Sequence, residues 1–319
     1  MARGWVITQN GYISVIGGAN IDIAGRPYQK LIRADSNPGE VTLSAGGVGR
    51  NIAENLARLG AHVKLFTAVG RDMYGDKIID EARRAGIDVS HIKQTDLAGT
   101  GFYLAVLDAA GDMDVAVSSM GIMDHLDTAY LDANRDVIAG SRAVVFDTNL
   151  GEETLRHGAE LFRGNSLYLD TVSHTKSLRA KDFIGLFGTI KPNRIEAEAL
   201  SGVRIDGEAA LRRAAAYFHG QGVRNVVITL GSDGSFYSDG ARMGVVKSAK
   251  VFPKNATGAG DAFQAALVYA QLEGMGLADA VRFATGAALV AMDSAGTINT
   301  DMSPETAAAA MTHLEETIW

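Results

Sequence analysis

The stretch Asn255-Ala256-Thr257-Gly258-Ala259-Gly260-Asp261-Ala262-Phe263 sets small residues and one acid at the point where an apolar helix begins. Gly258 and Gly260 lack a β-carbon, and Ala259 between them adds little bulk. The backbone can therefore approach a phosphate while its N–H groups are still free of helix hydrogen bonds. Those donors and the helix dipole favour negative charge at this spot. Thr257 adds a hydroxyl just ahead of the turn. Asp261 stands in the first turn, where a carboxylate can accept the proton of an attacking alcohol. The arrangement describes phosphoryl transfer to a small molecule. The same field favours the ionised carboxylate, so Asp261 is expected to be a weak base, which suffices when the hydroxyl loses its proton late. An ordinary helix N-terminus with glycine turns satisfies the local pattern as well.

Upstream of this helix, apolar runs alternate with amphipathic ones. Residues 13–19 read as a short buried strand ending in glycines, and 63–69 as a second strand after a helix carrying Ile52, Leu56 and Leu59 on one face. A helix near 76–85, strands at 143–146, 166–169 and 188–190, a helix at 208–219 and a strand at 225–230 continue the pattern. It predicts an α/β fold, a mostly parallel sheet with helices on both faces. Segments 22–44 and 100–120 break the rhythm. The first holds polar turns and short extended pieces, and the second reads as a hairpin. Together they predict a small sheet outside the main one, covering a cleft, a partner subunit or both. No repeat or Pro-rich linker divides the chain, so one domain over residues 1–319 is expected.

Composition fits a soluble enzyme of the cytoplasm. With 47% hydrophobic and 21% charged residues, the chain can build a large core. A formal charge of -7 argues against a general nucleic-acid binder. The absence of cysteine excludes disulfides, thiolate zinc sites and a cysteine nucleophile. No signal peptide is read at the N-terminus, and no run approaches the roughly 18 apolar residues of a membrane span.

Other turns carry polar groups with two readings each. Ala45-Gly46-Gly47-Val48-Gly49-Arg50-Asn51-Ile52 opens a helix without the dinucleotide fingerprint or the Lys-Ser/Thr ending of a P-loop. Gly46 and Gly47 would let a sugar approach the backbone while the Asn51 amide serves its hydroxyls; alternatively Asn51 caps the helix. Asn20 and Asp22 follow the first strand, where ligands of open α/β sheets bind, and Asp22 can accept from two adjacent hydroxyls. A solvated turn acid is the other reading. Asn193 and Glu196, in Lys191-Pro192-Asn193-Arg194-Ile195-Glu196, could hold Mg²⁺ through its water shell or merely cap a helix. Thr229, Gly231 and Gly234 would give a nucleotide a hydroxyl and close backbone approach, or form a plain turn. The seven histidines are widely spaced and show no zinc motif.

Two separated signatures, Gly46-Gly47-Val48-Gly49-Arg50-Asn51 and Thr257-Gly258-Ala259-Gly260-Asp261, make the chain resemble the PfkB family of ribokinase-type carbohydrate kinases across residues 12–302. The resemblance implies a ribokinase-like three-layer α/β/α sandwich with a small β-sheet lid. It also implies ATP-dependent transfer to a sugar hydroxymethyl, with Asp261 as base and the backbone of Gly258, Ala259 and Gly260 as anion hole. Asp22, Gly47 and Asn51 would bind the sugar, Asn193 and Glu196 would organise Mg²⁺, and the lid would be shared in a homodimer. Within the family, Ala34-Asp35-Ser36-Asn37-Pro38-Gly39 and the stretch from Ala19 to Gly25 are most similar to members that phosphorylate pseudouridine. By that similarity Ser36 and Asn37 would sit in the lid, where they could recognise the uracil edge; apolar lid residues such as Phe102, Tyr103 or Met120 could pack against the ring, and the sequence does not say which. Asn255 stands where many members have an Asp that helps hold K⁺, so it would offer a carbonyl without the negative charge.

Overall fold

The computed structural model describes residues 11–248 and 254–319; Trp5 lies outside them. Among the described residues, nine strands form the main sheet in the order Leu314–Ile318, Met243–Ser248, Ser235–Ser238, Asn225–Thr229, Thr189–Ile190, Ser166–Asp170, Ala143–Asp147, Ile13–Ile16, Val63–Phe66. The last six are mutually parallel, and the three at the other edge are antiparallel.

The parallel strands are apolar on consecutive residues because both faces are covered. Ile13, Val15, Ala143 and Val145 belong to one core, packed with residues of the helices Val48–Arg58, Ala259–Leu272 and Leu277–Met292. Their neighbours Ile16, Val144 and Phe146 point into a second core with residues of Glu152–Leu161, Arg194–Ser201 and Glu208–Gln221. This division follows from the two-residue period of a strand. The three layers are those of the ribokinase-like α/β fold.

Two expected strands divide in space. The run 13–19 supplies Ile13–Ile16 to the main sheet, and Asn20–Pro27 then enters the lid. The run 63–69 likewise splits: Val63–Phe66 stays in the main sheet while Ala68–Gly70 pairs with Lys93–Thr95. Segment 22–44 is more regular than its polar composition implies, because it contributes most of two eight-residue strands, Asn20–Pro27 and Gly39–Gly46. With the hairpin Phe102–Leu107 and Met113–Ser119 they form a separate four-stranded sheet.

Register sorts that small sheet into two chemically distinct faces. Asp22 pairs with Ser44 and Tyr103, and Tyr103 with Ser118, so these share one face. Ile21, Ala45 and Phe102 lie on the other, and its root packs against Val69 and Ile78. Beyond that root, Val41, Leu43, Leu104, Val115 and Val117 are exposed.

Candidate active site

The two glycine signatures meet at the carboxyl ends of the parallel strands. Gly47 has a left-handed φ of 97° at the start of helix Val48–Arg58, and a β-carbon there would lie 2.5 Å from the Gly18 carbonyl oxygen. One on Gly49 would lie 2.7 Å from the carbonyl carbon of Gly17. Only glycine lets this helix press so closely on the turn after the first strand. The approach brings Asn51 Nδ2 to donate to Asp261 Oδ2 at 2.8 Å, across 210 residues of sequence. Asn51 is buried and does not cap its helix, whose cap residue is Gly47.

Arg50 orients Asn51. Its guanidinium is buried, pairs with Glu54 at 2.5 Å, and donates through Nη1 to the Asn51 Oδ1 and the Ala45 carbonyl, each at 3.2 Å. Asn51 Oδ1 thus has its own donor, which fixes the amide so that Nδ2 faces Asp261.

Asp22 sits against the glycine turn. Asn20 Nδ2 donates to Asp22 Oδ1 at 2.6 Å, and a β-carbon on Gly46 would fall 2.1 Å from Asp22 Oδ2. Burial raises the Asp22 carboxyl above its ordinary pKa, opposed by the Asn20 hydrogen bond and the Arg50 charge. Asn20, Asp22, Gly46, Gly47 and Asn51 therefore form one cluster at the root of the lid.

Gly258 occupies the cap of helix Ala259–Leu272 with φ 84°. The Ala262 N–H donates to its carbonyl at 2.9 Å, which leaves the Gly260 and Asp261 N–H groups ahead of the helix ladder. Asp261 keeps partial solvent access, yet the protein atoms packed around it push its carboxyl up to about 7. Asp170 and Asp147 push in the same direction, while the Asn51 hydrogen bond and the Lys191 charge oppose them. The weak base expected from the helix field is corrected: burial and two neighbouring carboxylates outweigh the N-terminal dipole.

Asp147, Asp170 and Lys191 place their charges beside Asp261, and sequence reasoning missed them. Asp147 and Asp170 are the last residues of adjacent strands and are paired in register. The ammonium of Lys191, which follows the next strand, lies 3.0 Å from Asp170 Oδ2, and both side chains are buried. A β-carbon on Gly260 would lie 3.6 Å from Lys191 Nζ, so this cation sits beside the glycine turn. Asp147 Oδ2 accepts from the Gly18 N–H at 2.8 Å and occupies the space that a β-carbon on Gly17 would need. The available signal was a charged residue closing or following three neighbouring apolar strands, Ala143–Asp147, Ser166–Asp170 and Thr189–Ile190, at the edge where such sheets bind ligands.

A second corner gathers Asn193, Glu196, Thr229, Gly231 and Gly234. Asn193 and Glu196 form a reciprocal capping box: Asn193 Oδ1 accepts from the Glu196 N–H at 3.0 Å and Glu196 Oε2 from the Asn193 N–H at 2.9 Å. Thr171 Oγ1 also donates to Glu196 Oε2 at 2.6 Å. Asn193 pairs with Thr229 through an isolated bridge, and Gly231 (φ 63°) has open space where a β-carbon would point. Gly234 (φ 100°) closes the turn against the Val246 carbonyl.

The remaining candidates are held locally. Asn255 Oδ1 accepts from the Thr257 N–H at 2.9 Å and its Nδ2 donates to the Ala295 carbonyl at 3.1 Å, which clamps the signature turn to the loop after helix Leu277–Met292. Ser36 and Asn37 lie in the exposed loop between the first two lid strands. Asn37 exchanges hydrogen bonds with the backbone of Ile32, each at 2.8 Å, so its amide ties its own loop. Among the described residues no group of three His, Cys, Asp or Glu side chains suits a metal ion, and no helix is long and apolar enough to cross a membrane.

Comparison with known proteins gives the same outline. The pattern of pfkB family carbohydrate kinases matches residues 10–305. The chain is 38% identical over 296 residues to the pseudouridine kinase of Escherichia coli K12, covering 92% of this chain and 95% of that one. It is 33% identical over 307 residues to YeiI, an uncharacterized sugar kinase of the same organism, covering 96% and 84%. The ribokinase of Arabidopsis thaliana, solved with ribose and ATP, shares the fold at a TM-score of 0.83 with 20% identity, covering 94% and 98%.

Proposed function

The chain belongs to the pfkB family of carbohydrate kinases, and on that premise we propose that it transfers the terminal phosphoryl group of ATP to the ribose 5′-hydroxyl of pseudouridine, giving ADP and pseudouridine 5′-phosphate. The observation that carries this reading is the 2.8 Å hydrogen bond from Asn51 to Asp261, which joins the sugar turn to the phosphoryl turn. A hydroxymethyl group held over Asp22 and Asn51 would reach Asp261 and the amides after Gly258 together. The similarity to the E. coli enzyme supports the choice of nucleoside.

In the proposed reaction, Asp22 accepts hydrogen bonds from ribose hydroxyls and Asn20 holds that carboxylate in place. The 5′-oxygen attacks the terminal phosphorus, the bond to the bridging oxygen of ADP breaks, and the hydroxyl proton passes to Asp261. The Gly260 and Asp261 amides stabilise charge on the phosphoryl oxygens, with Gly258 and Ala259, whose N–H is turned to the Ala256 carbonyl, shaping the turn. Thr257, Thr229, Gly231 and Gly234 line the nucleotide side, with Asn193 beside them.

Mg²⁺ fits this corner only through its water shell, because Glu196 Oε2 already accepts from the Asn193 N–H and Thr171, Glu196 Oε1 from Asn193 Nδ2, and Asn193 Oδ1 from the Glu196 N–H, while the ion leans on water and phosphate for the rest. When bound, it would neutralise phosphate charge, with Asn193 and Glu196 holding its water shell. The Asn255 carbonyl would be the neutral ligand of a monovalent cation, K⁺ in the proposal, beside the anion turn. The reading places the enzyme in the cytoplasm, with its ATP.

ADP release measured with pseudouridine, uridine, adenosine and ribose tests the assignment. Pseudouridine is expected to show the highest kcat/KM, by at least about tenfold over each. Equal or greater efficiency with ribose would replace it with a sugar kinase, and binding without any turnover would leave a sugar-binding protein.

The proposal includes a homodimer. Leu43, Leu104, Val115 and Val117 form an exposed apolar patch on the lid face opposite Asp22, and a second copy laid against it would cover that patch. Val117→Glu is expected to convert a dimer into a protomer in sedimentation at micromolar concentration, with the fold intact by circular dichroism. A dimer that persists unchanged would move the interface elsewhere.

A further inference from the structure

Three apolar groups near the lid compete for the role of packing against the substrate's ring, and strand register separates them. Phe102 belongs to the face away from Asp22 and packs edge-on against Tyr74, with ring centroids 4.9 Å apart. Met120 lies past the end of the last lid strand, where its sulfur would be 2.9 Å from a β-carbon on Gly101. Tyr103 is paired directly with Asp22 and shares its face.

The ring of Tyr103 lies along that face. Its hydroxyl donates to the sulfur of Met113 at 3.4 Å, although Met113 pairs with Leu107, four residues further along the strand. Four residues of strand are about 13 Å, so the two side chains must lean toward each other over the row formed by Ala105 and Ala116, which pair with each other. Ala105 is only 9% exposed on this face, whereas Tyr103 is 37% exposed. The geometry is that of an aromatic plate resting on small residues with its outer surface open. Ser44 and Ser118 flank Asp22 and Tyr103 on the same face.

Neighbouring strands are about 4.8 Å apart. A ribose whose hydroxyls are taken by Asp22 would carry its base to one side, toward Gly39–Gly46 or toward Phe102–Leu107, and of the residues paired with Asp22, Ser44 and Tyr103, only Tyr103 presents a ring on this face. We propose that Tyr103 is the platform on which the planar base of the nucleoside stacks, and hence the residue that separates nucleosides from free sugars at this site. The inference rests on the reading of Asp22 as the sugar's partner. Stacking of this kind tolerates different bases, so Tyr103 selects for the presence of a ring, and polar groups select which ring.

Tyr103→Ala and Tyr103→Trp test it, with pseudouridine and ribose as probes. Tyr103→Ala is expected to lower kcat/KM for pseudouridine by about ten- to a hundredfold, through KM, while kcat stays near the parent value. Its efficiency with ribose at high concentration should be unchanged. In Tyr103→Trp, pseudouridine should quench fluorescence saturably beyond any change in the parent, and ribose should not. An equal loss with both substrates would reduce Tyr103 to a structural role. Unchanged pseudouridine KM in Tyr103→Ala, or absent quenching in Tyr103→Trp at saturating pseudouridine, would overturn the platform. If the parent turns over neither probe while Tyr103→Trp is still quenched by pseudouridine, the platform stands and the kinase reading falls.

Discussion

Asp261→Asn is expected to lower kcat by about 10² to 10⁴-fold while pseudouridine still binds with near-parental affinity. The substitution keeps an oxygen to accept from Asn51 Nδ2 and removes the group that takes the hydroxyl proton. The pH profile gives an independent readout. Because burial, then Asp170, raise the Asp261 carboxyl to about 7, the base form accumulates as pH rises through that value. The parent's kcat/KM should therefore climb through neutrality and level off above it, and the residual activity of Asp261→Asn should lack that rise. The stability effect has the opposite sign to the catalytic one. A folded pKa raised above that of the unfolded chain favours the folded state in acid, fully so below the ordinary carboxylate range, and the advantage is lost as pH rises through about 7. Above pH 7 the parent holds an unfavourable carboxylate that the neutral amide relieves. Asp261→Asn should thus melt no lower than the parent at pH 8, which separates lost chemistry from lost fold. Parental turnover in this variant would remove Asp261 from its role.

Gly258→Ala is expected to be nearly as damaging, for a different reason. The residue has φ 84°, and an added β-carbon would lie 2.2 Å from the Thr297 carbonyl oxygen and 2.8 Å from its Cγ2. A backbone oxygen cannot swing aside, so the turn itself must move and with it the amides aimed at the phosphoryl group. The backbone strain alone costs on the order of 1–3 kcal/mol. Displacing the amides is expected to lower kcat by about 10² to 10³-fold. Gly260→Ala is the informative contrast, because its β-carbon would meet Lys191 Nζ at 3.6 Å, an ordinary contact. Urea unfolding should show the loss in Gly258→Ala and little in Gly260→Ala. Parental kcat and stability in Gly258→Ala would mean that this turn is not built around glycine's conformation.

Much of the architecture was legible because apolar runs of strand length alternate with amphipathic helices, and each glycine turn carries its own backbone requirement. The limits of local reading show at particular residues. Segment 22–44 looked irregular because one face of each lid strand is polar. Asn193 and Glu196 admit both a cap and an ion site, with local sequence leaning to the cap, and the capping box is what the fold forms there.

The sequence by itself determined the alternating α/β plan, the two glycine turns and Asp261 as the acid after the second, since each depends on residues adjacent in the chain. Tertiary structure alone decided that Asn51 reaches Asp261, that Asp147, Asp170 and Lys191 surround it, and that Tyr103 rather than Phe102 shares the face of Asp22. Strand order sets which strand ends become neighbours, and register sets which face a side chain takes. The proton affinity of Asp261 follows from that same assembly, because the charges and burial that raise it come from elements far apart in the chain.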